Sequence, residues 1–104
     1  MRKQLRNGKI AVIHTNKHGG GWYSWHNITE LLFDPTLVEM IERDADADEI
    51  IEYCQTAYDP DGYYDSADSL TVTYVDTSDS FYIDEYDGCE TVVLKSTFKW
   101  ISAV

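Results

Sequence analysis

Residues 70–94 read LTVTYVDTSDSFYIDEYDGCETVVL, and the spacing of apolar side chains in this stretch decides the fold class. Leu70, Val72 and Tyr74 alternate with Thr71 and Thr73, and Phe81 and Ile83 alternate with Tyr82 and Asp84, the period of two that marks strands with one face covered. Residues 76–79 (DTSD) read as a short hairpin connection. Asp87-Gly88 is the stronger turn signal, because the favoured two-residue hairpin turn needs positive φ at both central positions. It joins a strand over residues 80–86 to one over 91–95.

Upstream, Lys9–Thr15 (KIAVIHT) follows the turn pair Asn7-Gly8 and is apolar and β-branched, which predicts a central strand covered on both faces. Asn27 is placed to cap a short turn ending at Phe33. Asp34-Pro35 then supplies an N-cap and a proline at the first helical position, predicting a helix over 35–43 with Leu37, Val38, Met40 and Ile41 inward and Glu39 and Glu42 outward. Asp44-Ala-Asp-Ala-Asp48 interrupts it, with Asp46 or Asp48 capping a second helix over 49–58. Ile50, Ile51, Cys54 and Ala57 or Tyr58 form its inner stripe, and Asp59-Pro60-Asp61-Gly62 ends it with strong turn chemistry. The expected order is β-α-α-β-β-β, an α+β fold with a mixed or antiparallel four-stranded sheet and two helices on one face. At 104 residues the chain is expected to form one domain over 1–104.

Charge is segregated along the chain. Residues 34–90 hold eighteen of the nineteen acids and one base, Arg43, a net charge of −17, whereas the first 33 residues carry five bases against Glu30. Disordered acidic chains are poor in aromatics, but here eight tyrosines and many β-branched residues are interleaved, so the acid is mounted on a fold. Such a field repels nucleic acid and anionic membranes and attracts basic protein surfaces. The apolar runs fall far short of the roughly 18 to 20 residues of a membrane span, and no signal-peptide core follows the start. A cytoplasmic protein is expected, with Cys54 and Cys89 reduced because they lack CxxC spacing. Asn27-Ile28-Thr29 then matches a glycosylation sequon without consequence.

Several chemical motifs are met only in part. His18-Gly19-Gly20-Gly21 matches an esterase oxyanion loop, but there is no Gly-x-Ser-x-Gly elbow, and no phosphate-cradling glycine motif occurs. His14, His18 and His26 are spaced four and eight apart, but the glycine-rich segment between them is not a helix that would align them on a metal, and His14 on a buried strand reads as a core residue. Asp44-x-Asp46-x-Asp48 opens like a calcium loop, yet Glu49 stands where glycine is needed and Gln55 where a bidentate glutamate is needed. No carboxylate pair is singled out for glycoside chemistry, and no nucleophile, base and orienter can be named together. Neither a catalytic residue nor a metal or cofactor is therefore assigned.

Two candidate surfaces follow. The first is an acidic protein-binding face made of Asp44, Asp46, Asp48, Glu49, Asp59, Asp61, Asp65, Asp68, Asp84, Glu85 and Asp87, with Tyr63, Tyr64, Tyr82 and Tyr86 as aromatic anchors. The second is the loop Lys17, His18, Gly19, Gly20, Gly21, Trp22, Tyr23 and Trp25. Its aromatics either roof the core or stack on a nucleotide or other small ligand, with Lys9, Lys17 and His18 adding positive charge and a homodimer as one way to close the site.

Lys9-Ile-Ala-Val-Ile13, Gly20-Gly-Trp-Tyr-Ser-Trp25, Leu32-Phe-Asp-Pro35 with Val38-Glu39, and Ile83-Asp-Glu-Tyr-Asp-Gly88 together resemble a family of small proteins encoded by tailed bacteriophages. The resemblance covers most of the chain and carries no activity with it. It implies an accessory protein of the anti-defence or host-takeover type. The expected function is inhibition of a host nucleic-acid-handling protein by an acidic face that mimics nucleic acid, without direct contact to nucleic acid or membrane. Sequestration of a small molecule by the loop is the alternative, and acidity that serves solubility alone is the plainest reading.

Overall fold

The computed structural model describes residues 2–97. Its organising element is β2 (Lys9–Thr15), which pairs antiparallel with the short β1 (Leu5–Arg6) on one side and with β3 (Leu70–Asp76) on the other. The Asn7-Gly8 turn, with φ of 52° and 76°, folds β1 back onto β2, as the positive-φ preference of this pair requires. β2 is thus central, and its alternation sends side chains to two cores. Ala11 and Ile13 join one apolar cluster, and Val12 joins the other.

The first cluster lies under the helices. Asp34 caps α3 (Pro35–Glu42) by accepting the Thr36 and Leu37 amides at 2.8 and 3.4 Å, and α4 (Ala47–Ala57) follows after a turn at Asp44. Leu37, Val38, Met40, Ile50 and Cys54 pack with Trp22, Leu31, Tyr64 and Ala67 against Ala11 and Ile13. Two single-turn helices precede them, α1 (Tyr23–His26) and α2 (Glu30–Phe33), and a 3-10 turn over Asp65–Ser69 leads into β3. Asn27 ends α1 in the left-handed region, at φ 57°, instead of opening the next turn. Asp46 holds the N-cap position of α4, and its side chain makes no capping bond.

The meander does not continue the sheet. β4 (Phe81–Tyr86) pairs with β5 (Cys89–Leu94) through the Asp87-Gly88 turn, at φ 50° and 87°, but β3 and β4 share no ladder. The expected four-stranded sheet is therefore two antiparallel sheets, one of three strands and one of two. Burial explains the split. Ile10, Val12 and Val75 would face water if the hairpin extended the sheet edge, whereas Phe81, Ile83, Val92 and Leu94 cover them, with Leu32 and Phe33, when it folds across. The 76–79 segment is shaped for that crossing. Asp76 accepts from the Ser78 amide and hydroxyl at 2.9 and 2.7 Å, and Asp79 accepts from the Ser80 and Ser96 amides, tying the start of β4 to the end of β5.

The result is an α+β unit with α3 and α4 packed on one face of the central sheet and the hairpin on the other, α2 contributing to both clusters. Asp34 also closes the helical layer from outside. It is buried, and it accepts hydrogen bonds from the Tyr53 hydroxyl at 2.6 Å and from the Tyr58 hydroxyl. Burial, and then the Asp34 carboxylate, raise both phenols above their ordinary value. The folded state keeps protons that an unfolded chain releases above about pH 10. Stability from these phenols is therefore full below that pH and falls as the pH rises beyond it. Thermal melts between pH 8 and 11 are expected to show this decline, and the Tyr53→Phe, Tyr58→Phe double variant is expected to flatten it.

Candidate functional site

Residues 16–22 follow β2 as a glycine-rich loop, and the chain holds this loop closed. The Gly19 amide donates to the Asp87 carbonyl at 2.5 Å, and a β-carbon on Gly88 would lie 2.6 Å from the Gly20 nitrogen. A β-carbon on Gly21 would meet the Trp25 ring at 2.4 Å. Glycine is required at 21 and 88 for close approach, and the loop backbone lies directly on the β4–β5 turn.

Glu90 completes the closure. It is 2% exposed and faces inward from β5, where its carboxylate accepts the Thr15 amide (3.1 Å), the Trp22 amide (3.1 Å), the Ser24 amide (2.8 Å) and the Ser24 hydroxyl (2.7 Å). One side chain thereby joins the end of β2, the loop and the start of α1. No ion pair reaches it among the described residues, so aligned N–H and O–H dipoles answer the buried charge. His14 sits beside it, with Nε2 2.7 Å from the Thr73 hydroxyl, and burial lowers its pKa.

These contacts settle the loop's aromatics separately. Trp22 is core: it is fully buried, and its indole N–H donates to the Leu31 carbonyl at 3.1 Å. His26 donates from Nδ1 to the Trp22 carbonyl at 2.7 Å and stacks on Tyr64, 5.0 Å between centroids. Trp25 is 47% exposed and stacks on Tyr63, itself 56% exposed, at 6.4 Å. Of the expected ligand-binding set, Lys17 is held by Asp65 and Asp68 at 3.4 and 3.3 Å, His18 packs edge-on to Tyr86, and Tyr23 packs on the hairpin-side core. Gly19, Gly20 and Gly21 carry the closed backbone, so the stacking platform expected of Trp22 is absent and Trp25 alone retains an open face.

Tyr64 likewise corrects the expected acidic face. At 4% exposure it is a core residue whose hydroxyl donates to the Asp59 carbonyl at 2.9 Å, whereas Tyr63, Tyr82 and Tyr86 are exposed. The acids themselves occupy both outer layers. Asp44, Asp46 and Asp48 lie exposed at the α3–α4 corner, and Asp84, Glu85 and Asp87 lie exposed on the hairpin across the central sheet. The loop end connects them. Asp44, Asp46 and Asp68 line one groove, Lys17 links Asp68 to Asp65, a β-carbon on Gly20 would sit 3.7 Å from the Asp65 carboxylate, and Gly20 touches the Asp87-Gly88 turn. These contacts link the acids of the helix corner, the 3-10 turn and the hairpin turn into one band.

Three bases answer part of this charge. Arg6 pairs with Glu42 at 2.9 Å, Lys17 with Asp65 and Asp68, and Arg43 with Glu39 at 3.0 Å and with Glu49. Asp44, Asp46, Asp48, Asp59, Asp61, Asp84, Glu85 and Asp87 form no ion pair among the described residues, although Asp59 accepts the Asp61 amide and Glu85 the Gly88 amide. The three histidines lie on different elements, and no group of three His, Cys, Asp or Glu side chains among the described residues is arranged to hold a metal ion. No described helix is long and apolar enough to cross a membrane.

Neither a family model, nor a curated protein, nor a solved structure matches the chain.

Glu90 was the residue that composition concealed, since it counts as one acid among many. Its strand parity is the available signal: Glu90, Val92 and Leu94 share the inward face of β5, so a carboxylate there must meet donors. Glu90→Ala leaves three amides without their acceptor. At about 1 to 3 kcal/mol for each unsatisfied buried group, it is expected to cost at least about 3 kcal/mol in urea unfolding, against about 1 kcal/mol for Ser24→Ala. Equal costs would show that the carboxylate is not the clamp.

The cysteines are free, Cys54 buried and Cys89 half-buried. Burial, then the Asp34 charge, push the Cys54 thiol up to about 12, and reactivity follows the thiolate. An aromatic disulfide reagent at pH 8 is expected to label Cys89 in the native protein and to reach Cys54 only on denaturation, read by mass spectrometry.

Proposed function

We propose that this chain is a small acidic binding protein that occupies the nucleic-acid-holding surface of a host protein. The observation that carries the reading is the band of carboxylates running from the α3–α4 corner past Asp65 and Asp68, which share the one base Lys17, to Asp84 and Asp87, with Asp44, Asp46, Asp48, Asp84 and Asp87 holding no ion pair among the described residues. Duplex DNA presents one charge per about 1.7 Å of axis. Carboxylates fixed on helix starts, a 3-10 turn and a hairpin offer a rigid counterpart, with Tyr63, Tyr82, Tyr86 and Trp25 as exposed aromatics of the kind that anchor protein interfaces. The resemblance to small phage proteins supplies the setting, in which blocking a host defence or transcription component is the outcome. Sequestration of a small molecule has less support, because the closed loop has its Lys17, Gly19 and Trp22 amides and most of its aromatics engaged internally.

The decisive experiment is capture of the host partner followed by competition with its nucleic acid. The chain is expected to displace duplex DNA or RNA from the partner, with affinity falling steeply between about 50 and 300 mM salt as screening shortens the reach of charge. Reversal of Asp44, Asp46 and Asp48 to lysine is expected to weaken binding at least tenfold. Since these acids hold no ion pair, the thermal midpoint is expected to stay level or rise as like-charge repulsion is relieved. A flat salt profile, or partner and nucleic acid bound together without competition, rules the reading out.

A further inference from the structure

The acidic band contains a groove where the C-terminal end of α3, the N-terminal end of α4 and the 3-10 turn before β3 meet. Ile50 and Ala67 are buried beneath it, Ile41 and Leu70 are half-buried at its sides, and Asp44, Asp46 and Asp68 stand exposed around it. Alanine at 45 and 47 leaves the space open.

We propose that this groove is the seat of an arginine side chain from the basic partner, its aliphatic stem on Ile41, Ile50 and Leu70 and its guanidinium on the rim carboxylates. The inference rests on the binding reading above and names the contact at its centre. Charge complementarity selects the occupant. Carboxylates approach from two elements, the helix corner and the 3-10 turn, and a planar guanidinium with five donors can bond to both, whereas an ammonium is a hydrated point charge. A long side chain can also cover apolar surface with its stem while keeping its head on charged groups.

Two observations support the seat independently of acid content. Asp46 stands at the N-cap of α4 but makes no capping bond, in contrast to Asp34, whose carboxylate is fully engaged at the start of α3. Its oxygens are left for an outside donor. The chain's own cations also show what this surface accepts: Lys17 already sits on Asp68, at one side of the rim, and Arg43 spans Glu39 and Glu49 between the same two helices.

The test uses N-acetyl-arginine amide as probe against the isotope-labelled full chain by NMR. Saturable shifts confined to the Ala45, Ala47 and Ala67 methyls and the Asp44, Asp46 and Asp68 amides are expected. Both N-acetyl-norleucine amide, which has the stem without the charge, and guanidinium chloride, which has the charge without the stem, are expected to bind at least tenfold more weakly. Ala47→Leu fills the groove without altering charge, and Asp46→Asn removes a rim charge that supports no cap. Each is expected to weaken the arginine probe at least tenfold while the remaining spectrum keeps its native dispersion.

Shifts spread over the whole band, equal binding of N-acetyl-norleucine amide or guanidinium chloride, or undiminished binding to the folded Ala47→Leu variant would overturn the proposal. The same variant separates the two readings. If Ala47→Leu still binds the host partner with a steep salt dependence, the groove fails and the acidic band stands. If arginine seats in the groove but the captured partner does not compete with nucleic acid, the groove stands and the mimicry fails.

Discussion

Everything that gives this protein one shape passes through the Glu90 carboxylate. It sits between the two sheets, with the end of β2 on one side and the glycine loop on the other, and it is the common acceptor for Thr15, Trp22 and Ser24. Without a shared acceptor, each of these amides would need water in a region roofed by Trp22 and Gly88, and a buried amide without a partner is costly. Gly21 and Gly88 owe their place to the same constraint. The loop must pass within contact distance of the Asp87-Gly88 turn to deliver the Trp22 and Ser24 amides to one carboxylate, and side chains at 21 or 88 would hold it away.

That closure also shapes the electrostatics. Folding the hairpin across the sheet brings Asp87 to the loop, while the 3-10 turn brings Asp65 to Gly20, so acids separated along the chain meet at the loop. Repulsion is limited by the pairings of three bases that span elements: Arg6 to Glu42, Lys17 to Asp65 and Asp68, and Arg43 to Glu49. Each is exposed and of modest strength alone. Their effect is chiefly one of placement, since Lys17 binds the loop to the 3-10 turn where the acidic band would otherwise spread. The charge left over is largely that of turns and helix starts, where the backbone is fixed and the carboxylates are solvated.

Much of the local structure was legible in the sequence because it rests on residues whose backbone preferences act alone. Asn7-Gly8 and Asp87-Gly88 formed the turns that positive φ demands, Asp34-Pro35 opened α3 with its cap, and the KIAVIHT run became a central strand covered on both faces. The sheet arrangement was not legible, since alternation says which side chains point together but not which strand lies beside which. Residues 76–79 were compatible with a hairpin or a crossing, and only the need to cover Val12 and Val75 decides for the crossing. The candidate site divides along the same line: charge and exposure at Asp44, Asp46 and Asp84 followed from composition, whereas Trp22 and Tyr64 belonged to the core, which requires knowing that Glu90 draws the loop inward.

The α3–α4 corner shows how sequence and surface chemistry part company. Asp34 and Asp46 both precede helices and both satisfy the sequence preference for an N-cap. Asp34 is buried with two tyrosine hydroxyls against it, so its carboxylate is committed to the interior. Asp46 has extended backbone, at φ −60° and ψ 146°, and no neighbour that fixes its side chain. Asp44, just before it, is held at φ 59°, a conformation that glycine or asparagine enters more easily. Stability alone would favour glycine at 44 and a bonded cap at 46. This corner, with an aspartate at each position and carboxylates without ion pairs beside apolar side chains, is where the proposed contact with a positively charged partner finds its groups uncommitted to the fold.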